Sequence, residues 1–274
     1  MPVPHTNKRV LFATLAAFFM SALPAAAGEV WDEIRPAIFG DRPILEASEG
    51  AIRLTAPYRS TDDRTVPISL DTLFLDGRSV KSVTFVIDEN PMPVTAVFEF
   101  DRQSPRVHLA ANMRFNGPSP MRVVVETNDG QLFMREAYVK TSGQGACAAP
   151  PVTAMGDSID GLGDMEFADL TPDAPSVQAT LIERSASLRI HHPNLTGLQM
   201  DQITLQYIPA RYVNEIEVRQ GDERLFTMKG GISLSENPEI AFSYRANGAD
   251  RIGVRVTDTA GSVFARHFAI GAGT

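Results

Sequence analysis

One cysteine among 274 residues excludes an internal disulfide. Basic residues are also scarce: 25 Lys and Arg stand against 33 Asp and Glu, for a formal net charge of −8. A nucleic-acid binder needs a basic stripe to neutralise phosphates, and this balance excludes that class. No long apolar run follows the first ~25 residues, so the rest of the chain holds no membrane-spanning helix. A Walker loop, a dinucleotide fingerprint and a nucleophile elbow are all missing. What is present is a hydrophobic fraction of 43%, enough to build packed cores and too much for a disordered chain. The length predicts one or two domains of roughly 100–200 residues each.

The N-terminus is organised differently from the rest. Lys8 and Arg9 precede an apolar run from Val10 to Leu23, and Ala25-Ala26-Ala27 follows. This order of charged, apolar and small residues predicts a secretory signal peptide over 1–27, cleaved before Gly28. The run is too short for a bilayer span, which needs ~20 residues. Cleavage leaves 23 basic against 33 acidic residues, or −10, in a mature exported chain with no membrane attachment. An unpaired cysteine in an oxidising compartment points to intermolecular bonding or a thiol kept free for use.

Val30, Trp31, Ile34 and Ile38 recur at near-helical spacing behind Asp32 and Glu33, which predicts one short helix, limited by Pro36 and ended by Gly40. Beyond it the period falls to two. Val80 to Asp88, Val94 to Phe100, Arg106 to Phe115, Met121 to Thr127 and Gln131 to Lys140 read as strands. Asn128-Asp129-Gly130 is a hairpin turn, since Asn and Gly tolerate the positive φ it needs. The pattern returns in Thr180 to Ile190, Ile203 to Tyr207, Tyr212 to Arg219, Leu225 to Met228, Ile240 to Ala246, Arg251 to Asp258 and Val263 to Ile270. An all-β chain of two β-sandwich domains in tandem is expected, over 28–140 and 177–274.

The expected linker over 141–176 has a composition of its own. No Lys or Arg occurs from Thr141 to Glu183, while Gly and Pro recur and several carboxylates keep the segment solvated. Cys147 sits in it between Gly143, Gly145, Ala146 and Ala148, with no bulky side chain within four residues to bury the sulfur. An exposed thiol on a flexible arm is therefore expected. Eight residues from Val139 reach roughly 25 Å when extended, about the depth of an enzyme cleft. Such a thiol suits covalent carriage of a group that other enzymes modify.

Rival chemistries lack parts. A nucleophilic cysteine needs a base within hydrogen-bond reach, and His108, His191, His192 and His267 all fall in predicted strands or turns away from the linker. No catalytic site of the chain's own is expected. His191-His192 cannot chelate one ion, because neighbours in a strand point to opposite faces; the pair reads as a strand-end turn, and no metal or other cofactor is expected. Asn194-Leu195-Thr196 fits a glycan acceptor by pattern, but the signal peptide looks bacterial. A second class of function is a non-catalytic docking scaffold in which the cysteine is incidental.

Several segments carry a family likeness. Asp88-Glu89-Asn90-Pro91-Met92-Pro93, Asn128-Asp129-Gly130 and Tyr138-Val139-Lys140 running into a one-cysteine arm resemble SoxY, the sulfur-carrier subunit of the periplasmic thiosulfate-oxidising system. Ser187 to Gly197, Ile208-Pro209-Ala210-Arg211-Tyr212-Val213-Asn214, Ser235-Glu236-Asn237-Pro238 and Thr257 to Val263 resemble its partner SoxZ. The fused order is similar to SoxYZ-like carriers associated with quinoprotein dehydrogenases. The resemblance implies two immunoglobulin-like sandwiches paired within a chain, or swapped between two chains in a dimer. It also implies a periplasmic location and a covalent intermediate on Cys147. Expected partners are Sox-type enzymes, a c-type cytochrome or a quinoprotein dehydrogenase, with basic docking patches to suit an acidic chain. Where SoxY ends in Gly-Gly-Cys-Gly-Gly, this chain reads Gly145-Ala146-Cys147-Ala148-Ala149 and continues into the second domain.

Overall fold

The computed structural model describes residues 29–143, 145–151, 160–171 and 183–270. The signal peptide read over 1–27 lies outside them, as do residues 152–159 and 172–182 between the two halves. Helix α1 (Glu29–Phe39) opens the described chain. Strands β1 (Ile44–Glu46), β2 (Ile52–Thr55), β3 (Val66–Leu73), β4 (Val80–Ile87), β5 (Val94–Ser104), β6 (Arg106–Met113), β7 (Ser119–Thr127) and β8 (Leu132–Val139) complete the first half. Strand β9 (Met165–Asp169) precedes the second half, β10 (Glu183–Ile190), β11 (Val213–Gln220), β12 (Glu223–Gly230), β13 (Glu239–Arg245), β14 (Arg251–Asp258) and β15 (Val263–Ala269).

These strands form two stacked sheets, each running through both halves. One has nine strands in the order β1-β8-β7-β4-β5-β12-β11-β14-β15, and the other six in the order β2-β3-β6-β13-β10-β9. The halves therefore meet edge to edge twice. β5 pairs antiparallel with β12, placing Phe98 opposite Met228 and Phe100 opposite Phe226. β6 pairs with β13, placing Leu109 opposite Phe242. Each half covers the sheet edge its neighbour would otherwise leave open.

The apolar interior is continuous across this seam. Val83, Phe85 and Ile87 of β4, Ile68 and Leu70 of β3, and Ile216, Val218, Ile240 and Phe242 of the second half belong to one buried cluster. At its centre Phe98 and Phe226 have ring centroids 5.7 Å apart, and Phe226 meets Phe242 edge-on at 5.0 Å. Gly231 permits the close crossing of the strands: a Cβ there would lie 2.8 Å from Met92 Sδ and 2.9 Å from the Val94 carbonyl oxygen.

Helix α1 covers the outer face of the larger sheet. Trp31 packs with Val86, Val124 and Leu132, which explains why β4 and β7 are apolar on both faces. The Arg122 guanidinium stacks 4.7 Å from the Trp31 ring and ion-pairs at 2.9 Å with buried Asp88. Pro36 does not limit the helix as expected. It lies on the exposed side, and the helix continues to Phe39, where Gly40 at φ +64° ends it and donates to the Pro36 carbonyl at 2.9 Å.

Two further expectations need correction. The segment 141–176 is not linker throughout, because Met165–Asp169 forms an edge strand on β10, with Phe167 stacked 5.3 Å from Phe268. Ile203 to Tyr207 is a turn rather than a strand, since Asp201 Oδ1 accepts from the backbone N–H groups of Ile203 (2.9 Å) and Thr204 (2.7 Å) and curls the chain. Strands β1, β2 and β3 were not foreseen.

A shared core predicts that the two halves unfold together. Calorimetry on the protein should show one transition, and two resolved transitions would contradict a common core. Phe226→Ala should lower stability by about 3–5 kcal/mol in urea titration, the usual loss for a fully buried aromatic.

Candidate carrier site at the domain joint

Where the strands of the two halves meet at one end of the sandwich, the loops form a buried polar joint. It is built from turn residues whose side chains complete backbone hydrogen bonds. Asn90, in the β4–β5 turn, donates to the Arg114 carbonyl at 2.7 Å and to Ser233 Oγ at 2.8 Å, and accepts from Asn116 N–H at 2.8 Å. Asn194, at φ +43° after β10, donates to the Ser235 carbonyl at 3.0 Å and accepts from Val213 N–H at 3.0 Å. Asn194 is fully buried, so it is closed to glycan attachment.

Cys147 lies in this joint. Its N–H donates to Asn116 Oδ1 at 3.2 Å, and Gly145 N–H donates to the Asn116 carbonyl at 2.7 Å. Gly145 has φ +92°, a backbone conformation that favours glycine, and a turn closes from Ala148 N–H to the Gly145 carbonyl at 2.9 Å. On the other side Thr196 Oγ1 donates to the Cys147 carbonyl at 2.6 Å, and Gln199 Nε2 donates to the Ala149 carbonyl at 3.1 Å. Upstream, Ser142 is held by Asp63 through its N–H at 3.0 Å and its hydroxyl at 2.7 Å.

The expected exposed thiol is thus corrected: Cys147 has 0% exposure. Gly143 and Ala148 are exposed, and Gly145 and Ala146 half-buried. The small flanking residues add little bulk around the main chain. They let the backbone seat closely against groups 31 to 50 positions away in sequence, Asn116, Thr196 and Gln199.

The charge nearest in effect to the thiol is Arg114, itself 3% exposed. Its Nη1 donates to the carbonyls of Ile232 at 2.9 Å and Asn194 at 3.3 Å. Burial raises the Cys147 thiol above its ordinary range, and the Arg114 guanidinium opposes that shift. In this seat the sulfur is a protonated, enclosed thiol at neutral pH, poorly suited to attack. Beside the arm is a cavity of about 30 Å³ bordered by Arg64, Arg114, Ala146 and Gln199. That is room for little more than a water.

The histidines are placed elsewhere. His192 is fully buried at the strand end; its Nδ1 accepts from Asn194 N–H at 3.0 Å, and its Nε2 lies 3.6 Å from Asp258 Oδ2. Burial holds it below the usual imidazole range, despite Asp258. His191 points the other way, into an open cleft with Asp164, Glu166 and Glu239. His108 pairs with Asp71 at 2.8 Å. Among the described residues no histidine hydrogen-bonds to Cys147. Nor does any group of three His, Cys, Asp or Glu there converge on a common ion. Sequence reading gave no site role to Arg114, Asn116, Thr196 or Gln199.

Fold and site define a class of protein: two β-sandwich lobes joined edge to edge that clasp a lone cysteine between them. Residues 35–147 match the family model of sulfur oxidation protein SoxY, and residues 181–269 match that of sulphur oxidation protein SoxZ. The two matches follow one another along the chain, SoxY first and SoxZ second, an order that supports a fused SoxYZ-like sulfur carrier. No curated protein matches the chain. Among solved structures, the sulfur carrier protein SoxY from Chlorobium limicola f thiosulfatophilum is 27% identical, over 41% of this chain and 96% of that one, with a TM-score of 0.33. A superoxide reductase (neelaredoxin) from Ignicoccus hospitalis is 10% identical, over 36% and 94%, with a TM-score of 0.29. No helix among the described residues is long and apolar enough to cross a membrane.

The enclosed thiol has a pH signature. Its raised folded-state value means that the folded protein keeps the thiol proton after the unfolded chain has lost it. The contribution is fully present below the ordinary thiol range, near pH 8.5, and is lost as pH rises toward the folded value. Urea stability should therefore fall more steeply above about pH 8.5 in the native protein than in Cys147→Ser. Identical profiles would show that the sulfur is not buried as described.

Proposed function

We propose that this chain carries a sulfur-containing or related intermediate covalently on Cys147 and presents it to partner oxidising enzymes, without a catalytic site of its own. The observation that carries this reading is the position of the only cysteine. It is the last residue of the SoxY match, held where that domain meets the SoxZ domain. The SoxZ-family half supplies contacts to the arm, and no base is set against the sulfur among the described residues.

In loading, the Cys147 thiol gives its proton to solvent and the sulfur forms an S–S bond with a sulfur of the incoming species. The two electrons released pass to a partner, a c-type cytochrome or a quinoprotein dehydrogenase. The segment around Cys147 acts as the flexible arm, with Gly143, Gly145, Ala146 and Ala148 giving a slim approach to a partner's pocket. A first domain over 28–140 and a second that takes in β9, with the arm-bearing segment between them, fit this role. The order of residues in 1–27 supports export to the periplasm, where sulfur oxidation of this kind would take place.

The intact mass of the protein isolated from its native compartment tests the reading. A reducible adduct that maps to Cys147 is expected, and Cys147→Ser should abolish substrate oxidation by the host pathway. Full oxidation by Cys147→Ser, with no adduct on the native protein, would overturn carriage in favour of a docking scaffold.

A further inference from the structure

We infer that Thr196 and Gln199 of the second domain form a latch that keeps the cysteine arm shut, so that Cys147 reacts only when the arm leaves both residues. The inference deepens the carrier reading and rests on it for what the thiol is for; the latch geometry stands independently.

The two residues fix each other's donors. Thr196 N–H donates to Gln199 Oε1 at 3.1 Å, which orients the amide and leaves Nε2 for the arm. Leu198 N–H donates to Thr196 Oγ1 at 3.1 Å, so the hydroxyl's own proton is free to point outward. Both donors meet arm carbonyls, those of Cys147 and Ala149. With the arm seated, Thr196 is 5% and Gln199 2% exposed, and the bonds from Thr196 N–H and Leu198 N–H, which do not involve the arm, orient both donors toward it. Across the arm, Asn116 of the first domain takes the N–H groups of Gly145 and Cys147. The clasp therefore spans both domains and uses only the arm's main chain.

Sγ is fully enclosed and any carried group adds at least one heavy atom to it, so a loaded arm cannot keep this seat unchanged. Loading and latching compete. The shut arm is the resting state of the free thiol, and the second domain controls access to the chemistry through two hydrogen bonds.

The test uses the purified mature chain with neither substrate nor partner. Cys147 is reacted with Ellman's reagent at fixed pH, and the rate compared in the native protein, Thr196→Val, Gln199→Leu and the double variant. Each single change should speed labelling about tenfold and the double more, on the scale of one lost hydrogen bond each. Thr196→Ser, which keeps the hydroxyl, should label at the native rate. A folded double variant that labels no faster than the native protein overturns the latch. So does native protein that already labels as fast as a short cysteine peptide, a measurement that holds even where a variant fails to fold. Slow, Thr196-dependent labelling together with no adduct in the native compartment would sink carriage and leave the latch standing.

Discussion

The double seam, β5 on β12 and β6 on β13, is the constraint on which everything else depends. Hydrogen-bonded strand pairs fix both the distance between the halves and their register, and the Phe98–Phe226–Phe242 ring cluster fills the space beneath. With the register set, the ends of β6 and β10 and the turns around Asn90 and Ser233 must come together at one end of the sandwich. The joint that holds the cysteine is a consequence of that alignment. The pairing also takes place within one chain, so it is independent of protein concentration, unlike a pair of separate subunits.

The joint is polar because turns end there, and buried polar groups are costly unless satisfied. The side chains of Asn90, Asn116 and Asn194 each hold groups from different loops together. Removal of one such side chain leaves buried partners unpaired, which costs more than the bond itself gains. The arm completes the set: its carbonyls take the donors of Thr196 and Gln199, and its N–H groups take Asn116. A seat that satisfies main-chain groups on both sides needs slim residues around the sulfur, which gives the Gly and Ala flanks a reason beyond flexibility.

Much of the fold was legible because strands with one buried face alternate. Val80 to Asp88, Arg106 to Phe115 and Arg251 to Asp258 were read close to their observed positions, as was the helix from Trp31, Ile34 and Ile38. Val66 to Leu73 also alternates cleanly, although Pro67 weighs against a strand; the Pro sits on the outward face. Met165–Asp169 was hidden inside a stretch with linker composition, where tertiary pairing with β10 overrides local preference. Ile203 to Tyr207 has a strand's residues but a strained turn's backbone, with Leu205 at φ +57°. At the site, sequence located the cysteine and misjudged its surroundings. A window of four residues sees only Gly, Ala, Gln and Pro, while the groups that hold the arm's main chain in its buried seat come from loops 31 to 50 residues away.

Tethering changes what a cysteine arm can be. A free tail can sample solution at little cost and would gain little from a specific seat. Here the chain continues beyond Cys147 to β9 and the second domain, so the arm is a loop with both ends held. Closing a loop restricts its unbound states and lowers the entropy lost on docking, so a few main-chain hydrogen bonds suffice to hold it shut. Under the proposed latch, the same tether would make departure a local event that leaves the strand seam intact. A reactive group can then be hidden and shown without unfolding the scaffold that positions it, and the scaffold's rigidity is what makes the two positions distinct.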